Sequence, residues 1–111
     1  MTRAYEVMVI FEGETEDDAV NRILAQTGEL IVAGQGRVAK TDRWGRRRFA
    51  YEINHKWEGI YVVLEIVTEA TNLDELERQL RIADEVVRHK VIRLPDREAA
   101  RRKLVEAPAA V

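Results

Sequence analysis

The hydrophobic repeat changes period along this chain in a fixed order, and that order restricts the fold more than any single residue does. Over residues 4–11, Tyr5, Val7, Val9 and Phe11 recur at every second position around Glu6, which predicts a half-buried first strand. Over residues 16–32 the repeat becomes helical, with Val20, Ile23, Leu24, Thr27 and Ile31 on one stripe. Thr15 precedes Glu16, Asp17 and Asp18, so Thr15 is the expected N-cap, and the acids suit the positive end of the helix dipole. Gly28 inside the helix costs about 1 kcal/mol relative to Ala, unless it marks close packing on a sheet. Gly34 and Gly36 end the helix.

Period two then returns twice. Residues 36–54 read as a long strand interrupted at Trp44-Gly45, where a glycine points to a bulge. Past it, Phe49, Tyr51 and Ile53 alternate with Arg48, Ala50 and Glu52, which makes Phe49 an expected core residue. A loop at 54–58 containing His55 leads to strand three, residues 60–67, with Ile60, Val62, Leu64 and Ile66 on the face opposite Glu65. That strand is the most apolar and is expected to be central. Asn72 and Glu75 stand at capping-box spacing ahead of a second helical stripe, Leu73, Leu76, Leu80 and Ala83. Strand four covers 86–94 and stops at Pro95.

The order β-α-β-β-α-β with right-handed crossovers predicts an α+β, ferredoxin-like sandwich. Its four-stranded antiparallel sheet has the order 4-1-3-2, with both helices on one face. The other face is left open or covered by a partner. At 111 residues, 46% apolar and 34% charged, the chain supports one folded domain, expected over 1–95. Residues 96–111 are expected to form a basic, flexible tail with at most a short helix at 97–105.

Composition narrows the chemistry. Without cysteine there is no disulfide, thiolate nucleophile or cysteine-based zinc site. The apolar run from Val7 to Phe11 is too short for a signal sequence, and no stretch reaches the roughly 20 apolar residues of a membrane span, so a cytoplasmic protein is expected. Neither His55 nor His89 has the spacing of a metal or triad motif, and no phosphate-binding glycine loop is present. The acidic run Glu14, Glu16, Asp17 and Asp18 is accounted for by the helix dipole without a metal. No metal, cofactor, membrane or small-molecule substrate is expected.

Charge is segregated. The net charge of −2 argues against strong autonomous nucleic-acid binding. Residues 37–56, however, hold seven basic and two acidic side chains, and residues 88–103 hold the same, so each segment is +5. The remainder has four basic and sixteen acidic side chains, or −12. A polyanion-facing edge on an otherwise acidic domain fits this partition. Trp44-Gly45-Arg46-Arg47-Arg48-Phe49-Ala50-Tyr51 is its most informative part, because guanidinium forks suit phosphates and aromatics can stack on bases. Pleating sends Arg46 and Arg48 to one side and Arg47 to the other, so the run can serve two surfaces. On strand four, Arg88, Lys90 and Ile92 share one face, with Arg93 close by. Strand three lacks the aromatic pattern of an RNA-recognition sheet, which argues against base stacking on the sheet face itself.

Four stretches resemble the bacterial small-subunit ribosomal protein S6 family. They are Arg3-Ala4-Tyr5-Glu6-Val7, Trp44 to Ile53, Glu58 to Leu64, and Leu76 to Ile82, in the family's order over about residues 3–94. Many members carry Leu and Pro where this chain has Phe49 and Glu52. The resemblance implies a non-catalytic, ribosome-associated component of the small subunit that pairs with ribosomal protein S18 and binds the central domain of 16S ribosomal RNA as a heterodimer. It also implies that Arg3, Tyr5, Arg46, Arg47, Arg48 and Arg88 lie at the RNA- or partner-facing surface. Tyr51, Lys90 and Arg93 join them as candidates from the two basic segments. The competing expectation is a small dimeric ferredoxin-like enzyme of the cofactor-free monooxygenase or isomerase type. Its pocket would have to use His89, Tyr61 and Trp57, and no acid–base pair accompanies them.

Overall fold

The computed structural model describes residues 2–53, 56–69 and 73–105, leaving aside the side chains of residues 50, 51, 53 and 56. Asn54, His55, Asn72, the Tyr51 side chain and the residues after 105 therefore lie outside the described residues. The elements run β1 (Arg3–Glu12), α1 (Asp17–Ala33), β2 (Gly36–Ile53), β3 (Lys56–Thr68), α2 (Asp74–Ile82), β4 (Val86–Arg93) and α3 (Asp96–Arg101). The sheet order is β2-β3-β1-β4 and every pairing is antiparallel, the expected ferredoxin-like arrangement.

Register decides which residues meet. Val7 pairs with Leu64, Val9 with Val62 and Tyr5 with Ile66, so the two central strands present one continuous apolar face. That face packs on Val20, Ile23 and Ile31 of α1 and on Leu76 and Leu80 of α2 to form the main core. Thr27 is the polar member of the α1 stripe, and its hydroxyl is satisfied by donating to the Ile23 carbonyl at 2.9 Å. Burying side chains of this size stabilises by about 1.5–3 kcal/mol each, so the pattern Val7-Val9-Phe11 holds the molecule together.

The structure corrects several local expectations. Glu16, not Thr15, occupies the α1 N-cap, and no side chain closes it. The Thr15 N–H instead donates to the Glu12 carbonyl at 2.9 Å, which closes the turn after β1. Gly28 does not mark close packing, because a Cβ there would meet no atom within 4 Å. β3 begins at Lys56 rather than 60, so residues 56–58 extend the β2–β3 hairpin instead of forming a loop. α2 begins at Asp74 with Leu73 at its N-cap and no side-chain cap bond.

The largest difference concerns the segment after Pro95. A short helix forms here, α3, and residues 96–105 pack on the sheet. Ala99 and Leu104 are buried with Leu94 against Ala4 and Val67, on the sheet face opposite α1 and α2. Ala99 within α3 and Leu104 just past it, where the chain turns back so that the Leu104 N–H donates to the Ala99 carbonyl at 2.9 Å, meet a sheet end that is itself apolar, which explains the docking. Among the described residues, the second face is thus covered at one end by the chain itself and uncovered at the other.

Candidate functional site

The middle of β2 is shaped by a bulge. The pairing with β3 shifts between Arg43 and Gly45, and Gly45 has φ +82°, a left-handed conformation that glycine adopts without strain. The bulge lays Trp44 over Tyr61 of β3, with ring centroids 6.3 Å apart and planes within 3°. Trp44 Nε1 donates to Asp42 Oδ2 at 3.3 Å, which fixes the indole's orientation. Phe49 packs on the same tyrosine at 6.2 Å and 55°. It is buried as expected, but outside the cluster beneath α1 and α2.

Beyond the bulge the pleat resumes. Arg46 and Arg48 stand opposite Ile60 and Glu58, and Arg47 opposite Gly59, so the run does divide between two faces. The Arg46 guanidinium donates to the Gly13 carbonyl at 2.7 Å. The Arg48 guanidinium lies 5.8 Å from the Trp57 ring centroid. Both line a cleft of about 470 Å³ together with Glu12, Gly13, Glu14, Trp57 and Glu58. Arg47 lies 5.9 Å from the Trp44 ring centroid, and its Nε donates to the Trp44 carbonyl at 3.4 Å. All three arginines are exposed. Among the described residues their contacts are with carbonyls and rings rather than with carboxylates. Arg46 and Arg48 nevertheless share their cleft with the carboxylates of Glu12, Glu14 and Glu58, whereas Arg47 faces the other side of the sheet.

The remaining candidates fall in three places. Arg88, Lys90 and Ile92 of β4 stand opposite Ile10, Met8 and Glu6, on the face that carries Trp44 and Tyr61. Arg88, Ile10, Tyr61 and Gly45 form one row across all four strands. Arg47 and Arg88 thus flank an apolar floor, half-buried at Met8 and Tyr61 and buried at Ile10 and Val63, about 15 Å from edge to edge at three strand spacings. Arg3 and Arg93 lie at the far end of the sheet, Arg3 opposite Thr68 and Arg93 opposite Tyr5. Arg93 is 3.9 Å from Asp96. Tyr5 is only 7% exposed and belongs to the main core, so packing accounts for it and it offers little surface to a partner. The Tyr51 side chain lies outside the described residues.

Sequence reasoning missed the ring partners. Trp57 as the surface beneath Arg48, and Tyr61 as the surface beneath Trp44, follow from a register that is set by the Gly45 bulge. The same register scatters the three residues that an enzyme pocket would have needed. His89 lies opposite Val9, on the helix-covered face, 3.6 Å from Glu77. Tyr61 is on the other face, and Trp57 is in the hairpin.

This sequence and architecture have relatives. The sequence profile of the family described as "Ribosomal protein S6" matches residues 4–93. The chain belongs to the ribosomal protein S6 family. Small ribosomal subunit protein bS6 of Carboxydothermus hydrogenoformans is 47% identical over 93 residues, covering 84% of this chain and 97% of that one. Its counterpart in Streptomyces griseus is 44% identical over 91 residues, covering 82% and 95%. The crystal structure of 30S ribosomal protein S6 from Thermotoga maritima superposes with a TM-score of 0.79 at 31% identity, covering 94% of this chain and 98% of that one. The family is structural and non-enzymatic, so the chain is a component of the small ribosomal subunit and the enzyme expectation falls.

Proposed function

We propose that the protein binds the central domain of 16S ribosomal RNA as a heterodimer with ribosomal protein S18, in the cytoplasm, and that it uses two surfaces to do so. The cleft holding Arg46 and Arg48 takes RNA phosphates, with the Trp57 ring holding the Arg48 guanidinium toward the cleft. The sheet face that carries Trp44 and Tyr61 takes the protein partner, with the half-buried Met8 and Tyr61 as its apolar contact and Arg47, Arg88 and Lys90 at its rim. Arg3 and Arg93 add positive charge at the far end of the sheet.

The observation that carries this reading is the run of three adjacent exposed guanidiniums whose contacts are rings and carbonyls. A chain of net −2 gains little from counterion release by itself, so a basic partner supplies the remaining attraction. The test is a pair of charge reversals, each checked for folding by circular dichroism. Arg46→Glu with Arg48→Glu should weaken RNA binding by the heterodimer while leaving the two proteins paired. Arg47→Glu with Arg88→Glu should weaken the pairing itself. If both pairs affected RNA binding equally and left the heterodimer intact, the division into two surfaces would be wrong.

A further inference from the structure

The outer side of α1 carries an exposed apolar groove. Ala25, Gly28, Val32 and Ala33 share one helix face and, with Val38 at the start of β2, line about 630 Å³ of open space. Val32 is 67% exposed, the most of any large apolar side chain among the described residues. Gly28 has no reason inside the molecule to lack a side chain, since a Cβ there meets nothing within 4 Å and glycine weakens a helix. Glu29 lines the groove from the helix and Arg37 lines it from the strand. Two other charged sites are answered within the chain. Arg22 meets Glu85 at 2.8 Å, and Arg102 meets Glu6 and Glu65, which face each other across β1 and β3. Among the described residues, the Glu29 and Arg37 side chains have no such partner.

We infer that this groove is the contact between two copies of the chain, with α1 packed on an antiparallel α1 about a two-fold axis at Gly28. A contact of that symmetry needs a patch that complements itself. This one does so in shape and in charge. Val32 projects, and it lies two helical turns from Ala25, so the axis sets Val32 of each copy over Ala25 of the other. The missing side chain at Gly28 lets the two helix backbones close up where they cross. The same axis brings Glu29 of each copy toward Arg37 of the other, so both charges gain the partner that a single chain lacks. A wholly basic or wholly acidic segment would answer only one of them, which favours a second copy as the occupant. One helix face and a strand end bury less than the roughly 1,600 Å² of a standard interface, so the dimer is weak. The groove lies on the side of α1 away from the sheet, so the Arg46 and Arg48 cleft and the face carrying Trp44 and Tyr61 stay open in the dimer.

The test is sedimentation equilibrium on the full chain, which needs neither RNA nor another protein. Wild type should pass from monomer toward dimer between about 10 µM and about 1 mM. Glu29→Arg and Arg37→Glu each set like charges across the axis, so each variant by itself should associate about tenfold or more weakly. Mixed in equal amounts, the two variants should form a dimer about as strong as that of wild type, because every pair across the axis is again opposite in sign. Pairing within one chain would not respond to mixing. Gly28→Leu should also remove the dimer while circular dichroism shows the fold unchanged, since the new side chain points into open space. A wild-type chain that stays monomeric at about 1 mM would overturn the inference. So would charge reversals or Gly28→Leu that associate like wild type, or a mixture no stronger than its components.

Discussion

Gly59 is the position where one added methyl group tests the most structure. A Cβ built there would lie 2.7 Å from Ile10 Cγ2, 2.7 Å from Phe49 Cζ and 3.0 Å from the Phe11 carbonyl oxygen. Ordinary contact begins near 3.4 Å, so both side chains must retreat by about 0.7 Å or more, and both are buried. Overpacking of that kind costs about 1–3 kcal/mol. For a domain of this size Gly59→Ala should therefore lower the melting temperature by about 4–20 °C. Phe49 is the softer neighbour, because its ring tip makes the contact. Phe49→Leu, the residue many family members carry there, removes that tip and should recover part of the loss. A double-mutant cycle by urea unfolding then has a definite sign, with the pair costing less than the sum of the single changes. Additive losses would mean that Phe49 is not the obstacle, and a neutral Gly59→Ala would mean that the hairpin does not approach β1 as described.

Three other outcomes follow from single features. Gly28→Ala should stabilise the protein by up to about 1 kcal/mol in urea unfolding, since α1 gains a better helix former where no atom lies within 4 Å of the new Cβ. Arg101 first and then Arg102 hold the Glu98 carboxyl down to about pH 2 through hydrogen bonds. A depressed carboxyl contributes stability that is complete above its ordinary pKa and is lost as pH falls. Amide protection of α3 should therefore decline between about pH 4.5 and 2, and Glu98→Gln should remove that dependence. Arg46→Gln with Arg48→Gln removes two cations from the cleft. The log–log salt slope of RNA binding by the heterodimer should drop by about 1.6, which corresponds to roughly fortyfold weaker binding at 0.1 M salt. An unchanged slope would mean that these side chains do not meet phosphate.

Much of the fold was legible because the strongest signals are local. The period-two runs around Val9 and Val62 and the helical stripes at Val20 and Leu76 fix element types. The ban on left-handed crossovers then leaves one sheet order. Gly45 announced its bulge for the same reason. What escaped depends on events the chain does not record nearby. Each bulge in β2 resets which residues share a face, so alternation showed that Phe49 is buried but not that it packs on Tyr61. Arg102 meets Glu6 across 96 residues of sequence, and nothing near either residue shows that two facing carboxylates need a cation. The docking of α3 was hidden behind the basic character of residues 96–103, which masked the buried Ala99 and Leu104 and gave no sign that Arg102 faces the sheet. Candidate arginines were easier to find, because a charge run survives any register. Their ring partners were not.

The measurement closest to the central claim is the affinity of this chain for the central domain of 16S ribosomal RNA, with and without ribosomal protein S18, across a salt series. The chain alone should bind weakly, the heterodimer should bind tightly, and the tight binding should fall steeply with salt. Tight, salt-insensitive binding by the chain alone, or no binding by the heterodimer, would contradict the account.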